Sequence, residues 1–239
     1  VLQRFGVDAP PLLQNVKLQV KDIDIHKIDG VDPQMSIKDT WQKMKENNIK
    51  TIPVLKDEEL VGVISTGDIA TSYMDVYDNR VLSAAKTQYR NIIKTLDGTL
   101  VTGNEHGHFT KGKVGIGASN PDLMEQFIEK DDLVILGNRY ESQLCAIEME
   151  AGCIIVCEGA GVSMTIKKLA EEHKCTVISS PFDTYTVARL INQSMPIRHF
   201  MKTDQLITFS MDDFVEDIRE VMASKRHRDF PILDDNGSY

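Results

Sequence analysis

The segment GVISTGDIA, Gly62 to Ala70, ends an apolar run on two hydroxyls, a glycine and a carboxylate before a second apolar stretch begins. These residue types can do two kinds of chemistry. A carboxylate such as Asp68 accepts hydrogen bonds from both vicinal hydroxyls of a ribose. Hydroxyls such as Ser65 and Thr66, placed where a strand turns into a helix, join exposed backbone N–H groups and the helix dipole in binding phosphate. Gly67 lets the turn come close to a ligand without a side chain in the way. The same residues also make a helix cap, with Ser65 or Thr66 capping and Asp68 favouring the first-turn dipole. A second polar group, KRHRDFP from Lys225 to Pro231, gathers cations in a chain that is acidic overall. Lys225 suits a helix C-terminus, and arginine forks match phosphate oxygens.

These groups need elements to position them. The chain has 239 residues, 41% hydrophobic and 26% charged, which are globular values with room for more than one domain. The formal net charge of −9 argues against a general nucleic-acid binder. No apolar stretch is long enough for a membrane helix, so a cytoplasmic protein with no membrane or nucleic-acid partner is expected. The N-terminal Val1-Leu2-Gln3-Arg4-Phe5 has no initiator methionine and no signal-peptide core, and reads as a fragment boundary. Cys145, Cys153, Cys157 and Cys175 form no C-x-x-C pair and sit mostly in apolar runs, as reduced core cysteines do.

Three regions follow from pattern. From about Val16 to Met74 the order is strand, helix, strand, turn, strand, helix. SIKDTWQKMKENN opens with Ser36 as N-cap and Asp39 at the third helical position, and Ile37, Thr40, Trp41 and Met44 share one face. TIPVLKDEELVGVIS is two strands around an acidic turn, a hairpin. From about Val81 to Gln193, LVILG, CIIVCEG and TVISSP alternate with helical segments, which implies a parallel sheet covered on both faces. Val101 to Ser119 reads as irregular strands and turns. The third region, from Met195, repeats the first: with Pro231 on Pro53 the offset is 178 residues, and Ile37 falls on Val215, Met44 on Met222, Val54 on Ile232 and Lys50 on Arg228. A repeat split by an insertion predicts two similar units packed face to face.

The first and third regions, with IPVLKD and LVGVISTGDI, resemble CBS domains, and two in tandem make a Bateman module, the family's adenine-nucleotide sensor. The middle region resembles a DRTGG domain; the name motif is present in part as Asn138-Arg139, and SSPFDTYTVARLI is similar to that domain's last strand and helix. A DRTGG domain between two CBS copies is similar to the regulatory insert of CBS-containing family II inorganic pyrophosphatases. The resemblance implies an α/β fold with a first CBS domain at 1–75, a DRTGG domain at 76–194 and a second CBS domain at 195–239. It implies AMP, ADP or diadenosine tetraphosphate as ligands, a homodimer through both domain types, and control of catalytic domains in the same parent chain. A divalent metal is expected only in those catalytic domains, and this chain alone is expected to be no enzyme.

The same resemblance implies the binding residues: Ser65, Thr66 and Asp68 for phosphate and ribose; Lys50 and Thr51 at the start of the hairpin; Arg226, His227 and Arg228 on the second copy; and Met201, Leu206 and Ile207 around the adenine. The second copy reaches only Tyr239, which falls on Val61, so counterparts of Gly62, Ser65 and Asp68 lie past that point and one pocket is expected to be incomplete. Two rival readings stay open. One is an enzyme in the middle region, using Arg139, Glu158 and Asp183 near Gly137, Gly159 and Pro181. It has no convincing nucleophile–base pair, and GIGASN and GAGVSM lack the third glycine of a dinucleotide fingerprint. The other is a dimerisation scaffold. His106-Gly107-His108 reads as a solvated loop.

Overall fold

The computed structural model describes residues 16–74, 78–225, 229–234 and 237–239. The first repeat half is built on helix α1 (Ile37–Glu46), whose N-cap Ser36 accepts the Asp39 amide at 3.0 Å. Ser36 and Asp39 thus make half of a capping box, because the Asp39 carboxylate pairs with Lys94 at 2.8 Å. Ile37, Thr40 and Met44 are buried, whereas Trp41 lies at the edge of the stripe and is 41% exposed. Strands β1 (Thr51–Lys56) and β2 (Glu59–Ser65) form the expected antiparallel hairpin. Its turn residues Asp57 and Glu58 take φ of 51° and 70°, the left-handed pair that a two-residue hairpin with right-handed twist requires. Strand β2 runs directly into helix α2 (Thr66–Met74). The strand expected before α1 is reduced to isolated bridges, Gln19 to Phe214, Val31 to Val54 and Ser36 to Pro196, with a short 3-10 turn at Val20–Asp22.

Helix α3 (Val81–Ala84), strand β3 (Thr87–Gln88) and helix α4 (Tyr89–Thr95) lead into the middle unit. There follow β4 (Thr99–Thr102), β5 (His108–Phe109), β6 (Val114–Ile116), α5 (Pro121–Met124), β7 (Leu133–Leu136), α6 (Tyr140–Glu148), β8 (Cys153–Val156), α7 (Met164–Glu172), β9 (Thr176–Ser179) and α8 (Thr184–Leu190). The five-stranded sheet has the order β4-β9-β8-β7-β6. Its last four strands are mutually parallel, and β4 is an antiparallel edge. All four residues of β7 and of β8 are buried, as a sheet covered on both faces demands. Alternate residues feed separate apolar clusters. Leu133, Ile135, Cys153, Ile155 and Ile178 join one face, and Val134, Leu136, Ile154, Val156 and Val177 the other. The first cluster continues through Leu82, Ile92, Leu96, Ile191 and Met195 to Ile52, Val54 and Ile64. The inserted unit therefore shares a core with the first repeat half instead of standing apart from it.

The second half holds β10 (Phe209–Ser210), α9 (Val215–Lys225) and β11 (Ile232–Leu233). The repeat is visible in main-chain pairing. Phe209 pairs in parallel with Ile232 as Val31 pairs with Val54, and α9 starts 178 residues after α1. The halves are also cross-linked. The Ile37 amide donates to the Met195 carbonyl at 3.0 Å, and the Val215 amide to the Leu18 carbonyl at 2.9 Å, so each helix start is held by the lead-in of the other half. The lead-in of the second half is one residue longer: the 3-10 turns begin at Val20 and Ile197, the pairings at Val31 and Phe209. No helix among the described residues is long and apolar enough to cross a membrane.

Candidate functional site

A crevice runs between the two halves and opens into two cavities related by the repeat. The smaller, about 110 Å³, is lined on one side by Thr51, Val63, Ser65 and Asp68 and on the other by Lys202, Asp204 to Ile207 and Asp229 to Pro231. The larger, about 870 Å³, is lined by Ile25 to Gly30, Thr51, Pro53 and Glu58 facing Asp229 to Ile232, with Ser238 and Tyr239 at one end. Thr51, Val63, Asp229, Phe230 and Pro231 belong to both, so the two cavities adjoin and share residues from both halves. Volumes of a few hundred Å³ suit small-molecule ligands. The larger cavity has that size as it stands, and the smaller is below it.

The junction of β2 and α2 sets the chemistry of the smaller cavity. Ser65 is the N-cap of α2 and Asp68 its third residue, and the two form a reciprocal capping box. Asp68 Oδ2 accepts the Ser65 amide at 2.8 Å and the Ser65 hydroxyl at 2.6 Å, while the Asp68 amide donates to Ser65 Oγ at 3.2 Å. Cap and candidate ligand group are therefore one structure. The box commits Oδ2 and leaves Oδ1 facing the cavity, where Lys202 Nζ stands 3.5 Å away. The Asp68 side chain is 16% exposed and that of Lys202 is 55% exposed, so the carboxylate is sheltered and the ammonium is on the rim.

Lys202 is held there by its backbone. Its amide and carbonyl exchange hydrogen bonds with Val63 at 2.9 and 3.0 Å, an antiparallel bridge that lays the second half against β2. Gly62 makes this approach feasible, because a Cβ there would lie 2.8 Å from the Lys202 carbonyl oxygen and 3.1 Å from Met201 Sδ.

Of the residues expected from sequence, Thr51, Ser65, Asp68, Leu206 and Ile207 meet at this cavity, although Ser65 and Leu206 are far apart in the chain. Lys50, Thr66 and Met201 are not in its lining. Lys50 is exposed and its carbonyl accepts the Thr66 amide at 2.9 Å. Met201 packs on the apolar core beside Gly62. Arg226, His227 and Arg228 lie outside the described residues. Lys202, Gln205 and Phe230 were missed, since neither the hydroxyl–carboxylate spacing nor the basic group signals them. The Ile25 to Gly30 wall had a signal, because the repeat makes Ile28 and Asp29 the counterparts of Leu206 and Ile207.

In the middle unit, Ser163 and Asp183 act as N-caps, accepting the Ile166 amide at 3.3 Å and the Thr186 amide at 3.0 Å. Arg139 donates to the Ala118 and Ser119 carbonyls, both at 3.1 Å. All four cysteines are buried free thiols, and burial pushes the Cys175 thiol up to about 12. Among the described residues no group of three or more His, Cys, Asp and Glu side chains is placed to hold a metal.

Comparison with known proteins agrees with this architecture. The CBS domain model matches residues 20–75 and 197–239, and the DRTGG domain model matches 91–194. The chain is 37% identical over 237 residues to the cobalt-dependent inorganic pyrophosphatase of Clostridium perfringens. It is 26% identical over 237 residues to a probable manganese-dependent inorganic pyrophosphatase of Thermotoga maritima. Each match takes in 99% of this chain and 43% of the relative, so the chain spans less than half the length of these curated relatives. The crystal structure of the CBS and DRTGG domains of the regulatory region of Clostridium perfringens pyrophosphatase, complexed with its activator diadenosine tetraphosphate, superposes with a TM-score of 0.86 at 36% identity. That match covers 93% of this chain and 97% of the other.

Proposed function

Because the chain belongs to the family of regulatory regions built from CBS and DRTGG domains, we propose that it senses adenine nucleotides and controls an inorganic pyrophosphatase activity in its parent protein. In this reading residues 1–75 and 195–239 form the nucleotide clamp and 76–194 the DRTGG domain. The observation that carries it is the meeting of the Ser65–Asp68 turn with Leu206, Ile207 and Phe230 across one crevice.

The chemistry assigns each wall a task. Asp68 Oδ1 accepts a ribose hydroxyl, while Oδ2 keeps the turn rigid through the cap. The Ser65 hydroxyl proton is held by Asp68 Oδ2, so at this turn it is the backbone N–H groups of the first turn of α2 that offer a favourable place for phosphate. Leu206, Ile207 and Phe230 supply the apolar faces for adenine. Arg226 and Arg228 are the sequence's candidates for the remaining phosphate charge. AMP or ADP occupies one cavity, and diadenosine tetraphosphate, which activates the Clostridium perfringens relative, bridges two.

A ligand that prefers one arrangement of the halves shifts the protein toward it, and this differential affinity is the regulatory force. The protein acts as a homodimer in this reading, and Phe127, Met164 and Tyr185, which are 63, 66 and 72% exposed, supply apolar surface for that contact.

Titration calorimetry with AMP, ADP and diadenosine tetraphosphate is the test, with sedimentation velocity for the dimer. Micromolar binding without turnover supports the sensor. Absence of binding by all three sinks it.

A further inference from the structure

We infer that Lys202 is a specificity-determining residue that makes the smaller cavity select phosphorylated nucleosides over free nucleosides. The inference rests on the nucleotide-sensor reading and adds to it a residue and a selection rule.

The argument starts from the two oxygens of Asp68. Oδ2 is committed to Ser65 through two hydrogen bonds of 2.8 and 2.6 Å, so only Oδ1 is free to take a ribose hydroxyl. Oδ1 is also the oxygen that Lys202 Nζ faces at 3.5 Å. A ligand that takes Oδ1 must share it with the ammonium or displace the ammonium from it. A free nucleoside offers the displaced cation nothing in return. A nucleotide brings its own anion, and the ammonium passes from carboxylate to phosphate.

Exposure makes this exchange easy. The Lys202 side chain is 55% exposed, and half-solvated ion pairs are weak, so little holds it on Asp68. Its backbone cannot drift, because the Val63 bridge fixes it at the rim. A flexible four-carbon stem on an anchored backbone gives the ammonium a short swing between the two anions. Among the described cavity-lining residues the charged groups are Asp68, Lys202, Asp204 and Asp229. Lys202 is the one cation among them, with three carboxylates around the same cavity. Without it the described lining repels phosphate.

The test compares AMP with adenosine by calorimetry on the full chain and on Lys202→Met, which keeps most of the stem and removes the charge. The expected result is an AMP-to-adenosine affinity ratio that falls by about ten-fold or more, with AMP weakened and adenosine unchanged or tightened. The salt dependence of AMP binding should flatten in the variant, and Lys202→Arg should restore most of the ratio; a merely structural role for Lys202 would move none of these. A ratio that does not change, whether both ligands weaken together or neither does, overturns the role of Lys202. Failure of the unmodified chain to bind either ligand overturns the sensor reading itself, which is a different outcome. The side chain takes no part in the Val63 pairing, so the variant should melt within about 2 °C of the parent, which a thermal scan verifies.

Discussion

Asp68 does two jobs with two oxygens, and a pair of substitutions separates them. In Asp68→Ala both jobs end. The Ser65 amide and hydroxyl lose their shared acceptor, and the first turn of α2 loses a negative charge. Loss of a cap of this kind costs about 0.5–2 kcal/mol and loss of the dipole interaction about 0.3–1 kcal/mol. A total near 2 kcal/mol lowers the melting temperature by roughly 4–8 °C for a chain of this length. In Asp68→Asn the single amide oxygen can still accept from Ser65, so the cap survives at a cost below about 1 kcal/mol. The amide nitrogen then takes the place of Oδ1, and the cavity loses its free acceptor. A charge-assisted hydrogen bond is worth about 1.5–3 kcal/mol, which is roughly ten- to a hundred-fold in affinity. Both variants should therefore lose AMP to a similar degree, while Asp68→Ala alone is clearly destabilised. Thermal melts without ligand and calorimetry with AMP give the two readouts. Wild-type AMP affinity in Asp68→Asn refutes the division of labour between the oxygens.

Three further outcomes follow from packing and charge. Gly62→Val drives a branched side chain into the Lys202 carbonyl and breaks the Val63–Lys202 pairing; overpacking and two lost hydrogen bonds cost about 3 kcal/mol, read as a drop in melting temperature of roughly 6–12 °C. Asp132→Ala removes a buried carboxylate that accepts the Lys113 and Glu129 amides at 2.8 and 2.9 Å and the Lys113 ammonium at 3.0 Å; urea unfolding should show about 3 kcal/mol of lost stability. Stability should also fall as pH rises. Burial holds the Cys175 thiol protonated up to about 12, and Cys153 is raised by burial as well. The unfolded chain releases those protons near 9, so above that pH the folded state binds more protons and stability declines by up to about 1.4 kcal/mol per pH unit for each thiol. Thermal melts between pH 8 and pH 10.5 measure the decline, and a flat profile would mean that the thiols are not buried.

The parts of the fold that were legible in the sequence rest on short-range rules. The hairpin was visible because an acidic turn separates two apolar runs, and the structure adds that its central pair, Asp57 and Glu58, is left-handed. The buried strands β7 and β8 were visible as continuous apolar runs. The repeat was visible in aligned prolines and helix starts, and it locates the crevice. What sequence left undetermined depends on long-range pairing. Strand β4 joins the sheet as an antiparallel edge beside β9, a pairing with residues some 77 positions further along that its own four residues do not signal. The capping reading and the ligand reading of Ser65 and Asp68 looked like alternatives, and the geometry makes them complementary by dividing the carboxylate. Lys202 carried no signal, since its place depends on Val63, a residue of the other half.

The crossed lead-ins set an order of events during synthesis. Gln19 and Lys21 bond to Asp212, 193 and 191 residues further along. Closing so long a loop has an entropic cost that local contacts do not share. On the ribosome the α1–β2–α2 block and the middle sheet can form as their residues emerge, but the seam between the two halves stays open until the last fifth of the chain has appeared. Among the parts described, the crevice is thus the last to be assembled, and a chain interrupted before that seam closes would carry a completed sheet and no clamp.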